Sequence, residues 1–178
     1  MARYGMLINA KRCVECFACR IACQMINSKP SDESFIRFEG IEKGVYPNVR
    51  AEVIPLQCQH CEDAPCVGVC PTGASFINEN GMVLVDEERC IGCHYCMMAC
   101  PYQARIATAS GAVDKCRFCY YEFDDSEPHP ACVATCVTQL RVFGDLDDPE
   151  SDVSKAILKY NAIPIAGDLT KSKIFYVR

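Results

Sequence analysis

The stretch Arg89–Pro101, RCIGCHYCMMACP, places four cysteines within eleven residues and follows the last one with proline. Its thiols have the spacing C-x2-C-x2-C-x3-C and belong to Cys90, Cys93, Cys96 and Cys100. Three closely spaced thiols on one loop can hold three corners of an iron–sulfur cube, and the fourth corner then takes a thiolate from elsewhere. The x3 gap predicts that the last thiol lies one turn into a helix and points at a neighbouring cluster. Pro101 removes a backbone donor and directs the chain onward.

All sixteen cysteines of the 178-residue chain fall into four groups of this kind. The first group has the spacing of the third, the second has one longer gap, and the fourth replaces one gap with the loop of residues 120–131. The groups are Cys13, Cys16, Cys19 and Cys23; Cys58, Cys61, Cys66 and Cys70; Cys90, Cys93, Cys96 and Cys100; and Cys116, Cys119, Cys132 and Cys136. No cysteine is left over, so one chemistry can account for the whole set.

Disulfide bonds and structural zinc are the two alternatives to iron–sulfur clusters. Thiols so close in sequence are poorly placed for independent cross-links, which need particular Cα separations. Zinc takes four thiolates in a tetrahedron, commonly as two well-separated C-x2-4-C pairs. The fourth group alone has that arrangement, and the first and third do not. Iron–sulfur clusters are therefore the interpretation that fits all four groups.

The ligand sets follow from the rule that the fourth cysteine of such a run binds the neighbouring cluster. Crossing the groups in this way predicts four [4Fe–4S] clusters with four thiolates each. Cluster 1 takes Cys13, Cys16, Cys19 and Cys136; cluster 2 takes Cys23, Cys116, Cys119 and Cys132; cluster 3 takes Cys70, Cys90, Cys93 and Cys96; cluster 4 takes Cys58, Cys61, Cys66 and Cys100.

Several basic residues and two histidines lie beside or between these cysteines. An oxidised cube with four thiolates carries about −2, so a nearby cation either raises its reduction potential or is only a solvated surface charge. The cations are Lys11, Arg12, Arg20, Arg89, Lys115 and Arg117. His60 and His94 stand between cysteines that already complete the ligand count. We therefore expect both histidines to lie beside the ligands or in solvent, and not to bind iron.

The composition limits the ordinary core and excludes other classes of protein. Hydrophobic residues make up 50% of the chain, but without cysteine the share is about 41%. We therefore expect ligation to replace much of the core and the cluster-free chain to be largely unfolded. The net charge of −5 argues against nucleic acid as a partner. There is no membrane-spanning apolar run, no h-region and no twin-arginine signal, so we expect export to depend on a partner.

Turn signals and an internal repeat predict an α+β fold. Residues 72–88 contain two strand patterns around an Asn80-Gly81 turn, and residues 34–56 contain two more strand patterns joined by a loop. The tail predicts a short helix near residues 150–159 and a strand at Ile174–Val177. The segment CVGVCPTGASFI is echoed by CVATCVTQLRVF later in the chain. The echo indicates that the cluster-binding unit occurs twice.

The expected architecture is two pseudo-symmetric bacterial-type 2[4Fe–4S] ferredoxin modules, one inserted in the other, with small β-hairpin insertions and a C-terminal extension. Residues 1–33 and 106–148 form the split module with clusters 1 and 2. Residues 34–105 hold the inserted hairpin and the second module with clusters 3 and 4. Residues 149–178 form a C-terminal docking extension.

The chain resembles the four-cluster electron-transfer subunits of membrane-associated molybdopterin oxidoreductases. The segments that carry the resemblance are CQHCEDAPCVGVCPTGA, RCIGCHYCMMACPYQAR, DKCRFC, PACVATC and GDLDDP. CPYQAR and the short spacer after it are most similar to the polysulfide, thiosulfate and tetrathionate reductase branch. Arsenate, dimethyl sulfoxide and cytochrome-linked nitrite reductase subunits are also similar. The chain departs from the usual pattern where Val137 and Gln24 follow the fourth cysteine of their groups in place of proline.

This resemblance implies an electron relay. A quinol-oxidising membrane subunit or a cytochrome would feed cluster 4, and electrons would pass through clusters 3 and 2 to cluster 1, beside the molybdenum or tungsten centre of a molybdopterin catalytic subunit. Oxidising members run in the opposite direction. Nitrate-reductase relatives have tryptophan at the position of Cys93 and three irons in that cluster, so cysteine here implies four. The resemblance favours the outer face of the membrane, reached with a signal-bearing catalytic partner, and leaves a cytoplasmic location open.

The sequence contains neither a nucleophile–base pair nor a phosphate-binding loop, so we expect no substrate site of the chain's own. A soluble polyferredoxin that serves a cytoplasmic hydrogenase or formate dehydrogenase would have the same cysteine pattern. A zinc-stapled interaction module is the third hypothesis. Co-purification with a large molybdopterin subunit separates the first two, and a colourless zinc protein without iron would establish the third.

Overall fold

The computed structural model describes residues 2–122 and 129–178. They form a mixed α and β fold, as predicted. The strands are β1 (Tyr4–Asn9), β2 (Arg37–Lys43), β3 (Arg50–Leu56), β4 (Ser75–Ile77), β5 (Val83–Val85), β6 (Arg105–Ala107), β7 (Val113–Lys115), β8 (Arg141–Asp145), β9 (Ile163–Pro164) and β10 (Ile174–Val177). The helices are α1 (Ala18–Ile26), α2 (Pro65–Gly68), α3 (Tyr95–Met98), α4 (Ala131–Ala134) and α5 (Asp152–Tyr160), with 3₁₀ turns at Ala10–Arg12 and Tyr120–Glu122.

A four-stranded sheet joins the two ends of the chain. Its order is β8-β1-β10-β9, with β1 parallel to β10 and antiparallel to β8. Met6 and Ile8 of β1 face a core that contains cysteines of three groups, whereas Leu7 faces Val153 of α5 on the opposite side. The predicted tail strand is confirmed. Because β10 lies inside the sheet and buries Tyr176 completely, the tail is part of the fold's core.

Strand β1 itself was not predicted, because its run YGMLIN is nearly continuous in apolar residues and shows no alternation. The predicted tail helix is confirmed as α5. Ser151 caps it, since its hydroxyl accepts the Ser154 N–H at 3.2 Å, and the helix ends at Asn161 in the left-handed conformation. In the part of the chain that the structure describes, no helix has the length and apolar character needed to cross a membrane.

Three hairpins carry the cysteine loops. The two predicted ones are confirmed: β2 pairs with β3 and β4 with β5, both antiparallel. The β4–β5 turn closes where the Asn78 side-chain carbonyl accepts the Met82 N–H at 2.8 Å, and Gly81 takes a positive φ of 69°. The third hairpin, β6–β7, was missed, although Ser110-Gly111 is a turn signal. The predicted module boundary between residues 105 and 106 falls inside β6.

Three of the helices are single turns that carry the third cysteine of a group and end just before the fourth. In the third group α3 ends at Met98, so the prediction that Cys100 lies within the helix is wrong. Pro101 disfavours helical backbone at the residue before it, which accounts for the early end. In the first group glutamine follows Cys23, and α1 continues to Ile26. The Gln24 amide donates to three carbonyls of residues 30–33 and holds that loop instead.

Candidate metal centres

The C-x-x-C loops share one backbone feature. In every group the residue just before the second cysteine has a positive φ, which turns the chain so that successive thiols face one side. These residues are Glu15 at 52°, His60 at 46°, Gly92 at 66° and Phe118 at 54°. Three of the four are not glycine, and such backbone costs of order 1 kcal/mol or more per residue. Positive φ at four equivalent positions, three of them strained, indicates a functional constraint.

Every cysteine lies within the described residues and every thiol is free, so the structure gives no support to a disulfide framework. The structure brings the first and fourth groups together. The cysteines predicted for cluster 1 line one cavity, together with Arg141 and Leu140, and those predicted for cluster 2 line a second cavity with Gln57 and Phe118. In each cavity, cysteines distant in sequence share one space.

In the two remaining predicted sets, the pKa values of two thiols are affected by the charges of other members of the same set. Burial first, and then the charges of Cys58, Cys66 and Cys100, raise the pKa of Cys61 to about 11. Burial also raises the pKa of Cys96, and the charges of Cys70 and Cys90 add to that effect. In each case the cysteines that act on the thiol belong to its predicted set. Cys93 is exposed at the surface.

Backbone N–H groups donate to the sulfur of the fourth cysteine in two groups, the cysteine that is predicted to bind the neighbouring cluster. Cys70 accepts the Ser75 N–H and Cys136 accepts the Leu140 N–H, both at 3.4 Å from sulfur to nitrogen. Burial alone would raise the pKa of Cys70 and of Cys136, but these N–H groups and the threonine two residues after each cysteine lower both values. Donors to sulfur stabilise the thiolate form, which is the form that binds metal.

These residues fit [4Fe–4S] clusters better than single ions. The donor set is four thiolates with N–H groups directed at sulfur, which suits a cube. Across residues 2–122 and 129–178, no three His, Cys, Asp or Glu side chains converge closely enough for one metal ion. The fourth group, which alone had the spacing of a zinc site, instead shares its cysteines with the first. Residues 123–128 of its loop lie outside the described residues.

The family model for the 4Fe-4S dicluster domain matches residues 49–146. The chain belongs to this family. As a dicluster-family protein it carries [4Fe–4S] clusters, and the disulfide and zinc alternatives fall away. Its relatives include the thiosulfate reductase electron transfer subunit PhsB of Salmonella typhi, 43% identical over 151 residues, which cover 83% of this chain and 79% of the relative.

Two further relatives have similar coverage. Protein NrfC of Escherichia coli is 42% identical over 158 residues, which span 87% of this chain and 71% of the relative. A sulfite dehydrogenase subunit of Allochromatium vinosum is 39% identical over 179 residues, which span 88% of this chain and 75% of the relative. The matches extend over most of each protein, so the similarity is not restricted to one cysteine run.

The four cysteine sets of this dicluster-family protein differ in how deeply their thiols are buried. The sets of clusters 2 and 4 are mostly buried, whereas those of clusters 1 and 3 each include an exposed thiol, Cys16 and Cys93. Cys23, Cys116 and Cys132 of set 2 share one buried core with Cys58 and Cys61 of set 4, so these two sets adjoin. On the predicted ligand sets, this contact and the burial favour the order 1, 2, 4, 3, which differs from the predicted route, in which an external donor feeds cluster 4.

The six predicted cations fall into three environments. Lys11, Arg12 and Arg89 are exposed, while Arg20 and Arg117 are half-buried. Lys115 is 1% exposed, and its ammonium donates to the Val83 and Cys116 carbonyls. Lys115 is therefore the one of these six that brings a charge into the interior.

The two histidines differ completely. His94 is exposed, in agreement with the solvated alternative. His60 is fully buried and stacks on Phe118, with ring centroids 3.8 Å apart and planes at 15°. Burial lowers its pKa well below the usual value, and Lys115 and Lys173 lower it further. His60 therefore packs as a neutral ring between the loops of the second and fourth groups.

Sequence reasoning missed two buried arginines, Arg105 and Arg141. They are 5% and 3% exposed and begin strands β6 and β8. Both stand five residues after the fourth cysteine of their group, in CPYQAR and CVTQLR. The shared Q-x-R was visible in the sequence, but arginine five residues from a ligand is ordinarily a surface residue.

Proposed function

We propose that this chain is a non-catalytic subunit that relays electrons through four [4Fe–4S] clusters. Its partners are a molybdopterin catalytic subunit and a membrane quinol-linked or cytochrome subunit, in a respiratory reductase of sulfur compounds or similar oxyanions. The observation that carries the proposal is the arrangement of the cysteines: four adjacent sets, buried in the middle and exposed at both ends. The relatives named as electron-transfer and oxidoreductase subunits support the same role.

The proposed ligand sets are those of the crossed assignment. Three observations support them: the two cavities lined by the sets of clusters 1 and 2, the thiol charges that act within sets 3 and 4, and the N–H donors at the fourth cysteines. The same crossing supports two ferredoxin modules, with the module of clusters 3 and 4 inserted in the other. Because β6 spans residues 105–107, the inserted module extends past residue 105.

The surface around each exposed thiol supports docking at both ends of the relay. Val14 and Ile21 are exposed within five residues of Cys16 in the sequence, and Ile91 and Met98 within five residues of Cys93. Exposed apolar side chains grouped around a redox centre are typical of protein–protein contacts. We assign the Cys16 end to the molybdopterin subunit and the Cys93 end to the membrane or cytochrome partner. Membrane association is then through partners, on the outer face.

The clusters supply one-electron redox chemistry when bound. The chain's own residues do the rest. The thiolates would hold the irons, the backbone N–H groups would orient the sulfurs, and the apolar core around sets 2 and 4 would keep water away from them. In this role the chain would make and break no bond to a substrate.

Purification of the intact complex tests this function. We would tag this chain in its source organism, purify it anaerobically, and analyse the associated polypeptides, molybdenum, tungsten and molybdopterin. A large molybdopterin subunit should co-purify, and thiosulfate, tetrathionate or a similar acceptor should reoxidise the reduced clusters. Recovery from the soluble fraction with a hydrogenase or formate dehydrogenase, and no reoxidation by such acceptors, would support the polyferredoxin alternative instead.

A further inference from the structure

Arg105 and Arg141 occupy equivalent places in the two repeats. Each follows the fourth cysteine of its group by five residues, each begins a strand, and each is almost completely buried. Arginine keeps its positive charge at any ordinary pH, so two permanent charges lie inside the protein. Burying a charge is costly unless an opposite charge compensates for it.

Arg141 lies beside the cavities lined by the two cysteine sets of the split module. It lines the cavity of cluster 1. Its Nη1 donates to Gln57 Oε1 at 2.7 Å, and Gln57 lines the cavity of cluster 2. Burial would lower its pKa, but the charges of Cys132, Cys19, Tyr176 and Cys116 raise it. Its Nε and Nη2 atoms are buried without a hydrogen-bond partner.

Arg105 lies in the corresponding place in the inserted module. Its Nη2 donates to Ser75 Oγ at 2.6 Å, and the Ser75 N–H donates to the Cys70 sulfur of cluster 3. Burial would lower its pKa, but the charges of Cys66 and Cys58 of set 4 and of Cys96 of set 3, together with a side-chain hydrogen bond to Cys66, raise it. Its Nη1 atom is buried without a partner.

Both side chains have buried N–H donors with no acceptor among the described residues. Within residues 2–122 and 129–178, neither guanidinium forms an ion pair with a carboxylate. Lys115 differs, because carbonyl oxygens accept from its ammonium. A buried donor without an acceptor is rare in native proteins and indicates an unseen group. Sulfur atoms of clusters held by the adjacent cysteine sets would provide both the acceptors and the compensating charge.

We propose that Arg105 and Arg141 are positioning residues of the relay: each donates N–H groups to sulfur atoms of the two clusters in its module and raises the reduction potentials of both. The inference rests on the proposed four-cluster function and on the ligand sets. A fixed positive charge stabilises the more negative reduced cluster. One arginine therefore acts on clusters 3 and 4, and the other on clusters 1 and 2.

The test uses the full chain in its complex, loaded with clusters, and redox titration followed by electron paramagnetic resonance. The Arg105→Met variant should lower the potentials of clusters 3 and 4 and leave the other two unchanged, and Arg141→Met should do the reverse. At a fixed potential the reduced-to-oxidised ratio of each affected cluster should fall about tenfold, which is about 59 mV for one electron. The Lys variants keep the charge and should recover most of the shift.

Arg89→Met is the matched control, because Arg89 also lies beside a cysteine group but is exposed. It should leave all four potentials unchanged. Iron content near that of the native complex shows that the Met variants hold all four clusters. An unchanged potential then counts against this inference alone, whereas a native iron content well below about sixteen counts against the four-cluster function. Full iron content with four unchanged potentials, or a shift of the same two clusters in both variants, would overturn the inference.

A measurement on the unaltered protein covers the case in which a Met variant loses its clusters. Protein labelled with ¹⁵N-arginine would be reduced and examined by electron spin-echo spectroscopy. A weakly coupled arginine nitrogen at the reduced clusters is expected, because the guanidinium donates to cluster sulfur. Arg105→Lys should lose this coupling at clusters 3 and 4, and Arg141→Lys at clusters 1 and 2. Absence of any arginine coupling in the native complex would refute the proposed hydrogen bonds.

Discussion

Replacing Cys93 with alanine separates one end of the relay from the rest. The thiol is exposed, so its loss removes almost no buried surface. It belongs to the proposed set of cluster 3, next to the small core that contains Cys66, Cys96, Val83 and Val113. The four-stranded sheet belongs to other cores. The change should therefore be local, and the fold and the other three clusters should survive.

The iron content gives the expected magnitude. The native chain should hold about sixteen irons. Loss of one ligand should reduce the content to about fifteen if a three-iron core remains, or about twelve if the whole cube is lost. Chemical iron analysis gives the total, and electron paramagnetic resonance identifies the signal that changes. Loss of the cluster 1 signal would refute the crossed ligand assignment.

Cys16→Ala is the matched variant at the opposite end, because this thiol is also exposed and also precedes the third cysteine of a C-x2-C-x2-C run. In preparations whose iron content of about twelve shows that the whole cube is lost, a quinol donor should reduce the three remaining clusters in Cys16→Ala and leave them oxidised in Cys93→Ala. Acceptor-dependent turnover from quinol should then be lost in both. Quinol reduction of the remaining clusters in a Cys93→Ala preparation without that cube would contradict the order 1, 2, 4, 3.

Three further predictions concern stability and assembly. Tyr176→Phe removes a buried hydrogen bond from the Gln59 amide at 3.0 Å and should lower stability by about 1 kcal/mol, measured in denaturant under anaerobic conditions. The cluster-free chain should exchange its amide hydrogens rapidly, and slow cooperative exchange would disprove this. A thiol in the largely unfolded cluster-free chain has a pKa of about 8.5, and burial in the folded chain raises the pKa of Cys23 to about 12 and of Cys132 to about 11. Because thiols must lose protons to bind iron in either state, cluster assembly should improve from pH 7 to pH 9 and release protons; a yield independent of pH would contradict this.

The cysteine spacing leads to the proposed ligand sets because it reflects cluster chemistry directly. Three thiols on a short loop are a local constraint, and the four loops have the same turn in the structure. The Asn80-Gly81 hairpin was predicted for the same reason, since its turn depends on a few neighbouring residues. Features that depend on a few neighbouring residues can be predicted from a single sequence.

Long-range packing accounts for what could not be predicted. The proposed order of the clusters depends on the position of Cys58, which comes two residues after β3 and shares a buried core with Cys116. No local sequence pattern predicts that contact. Strand β1 depends on β8 and β10, which come from the far end of the chain. The burial of Arg105 and Arg141 depends on negative partners that lie outside the polypeptide.

The most direct test of the central claim is the iron and acid-labile sulfide content of anaerobically prepared protein, together with its Mössbauer spectrum. The account predicts about sixteen irons and sixteen sulfides per chain, all in cubes with four thiolates. A content near eight, which would leave two cysteine sets without clusters, or zinc in place of iron, would contradict the four-cluster relay.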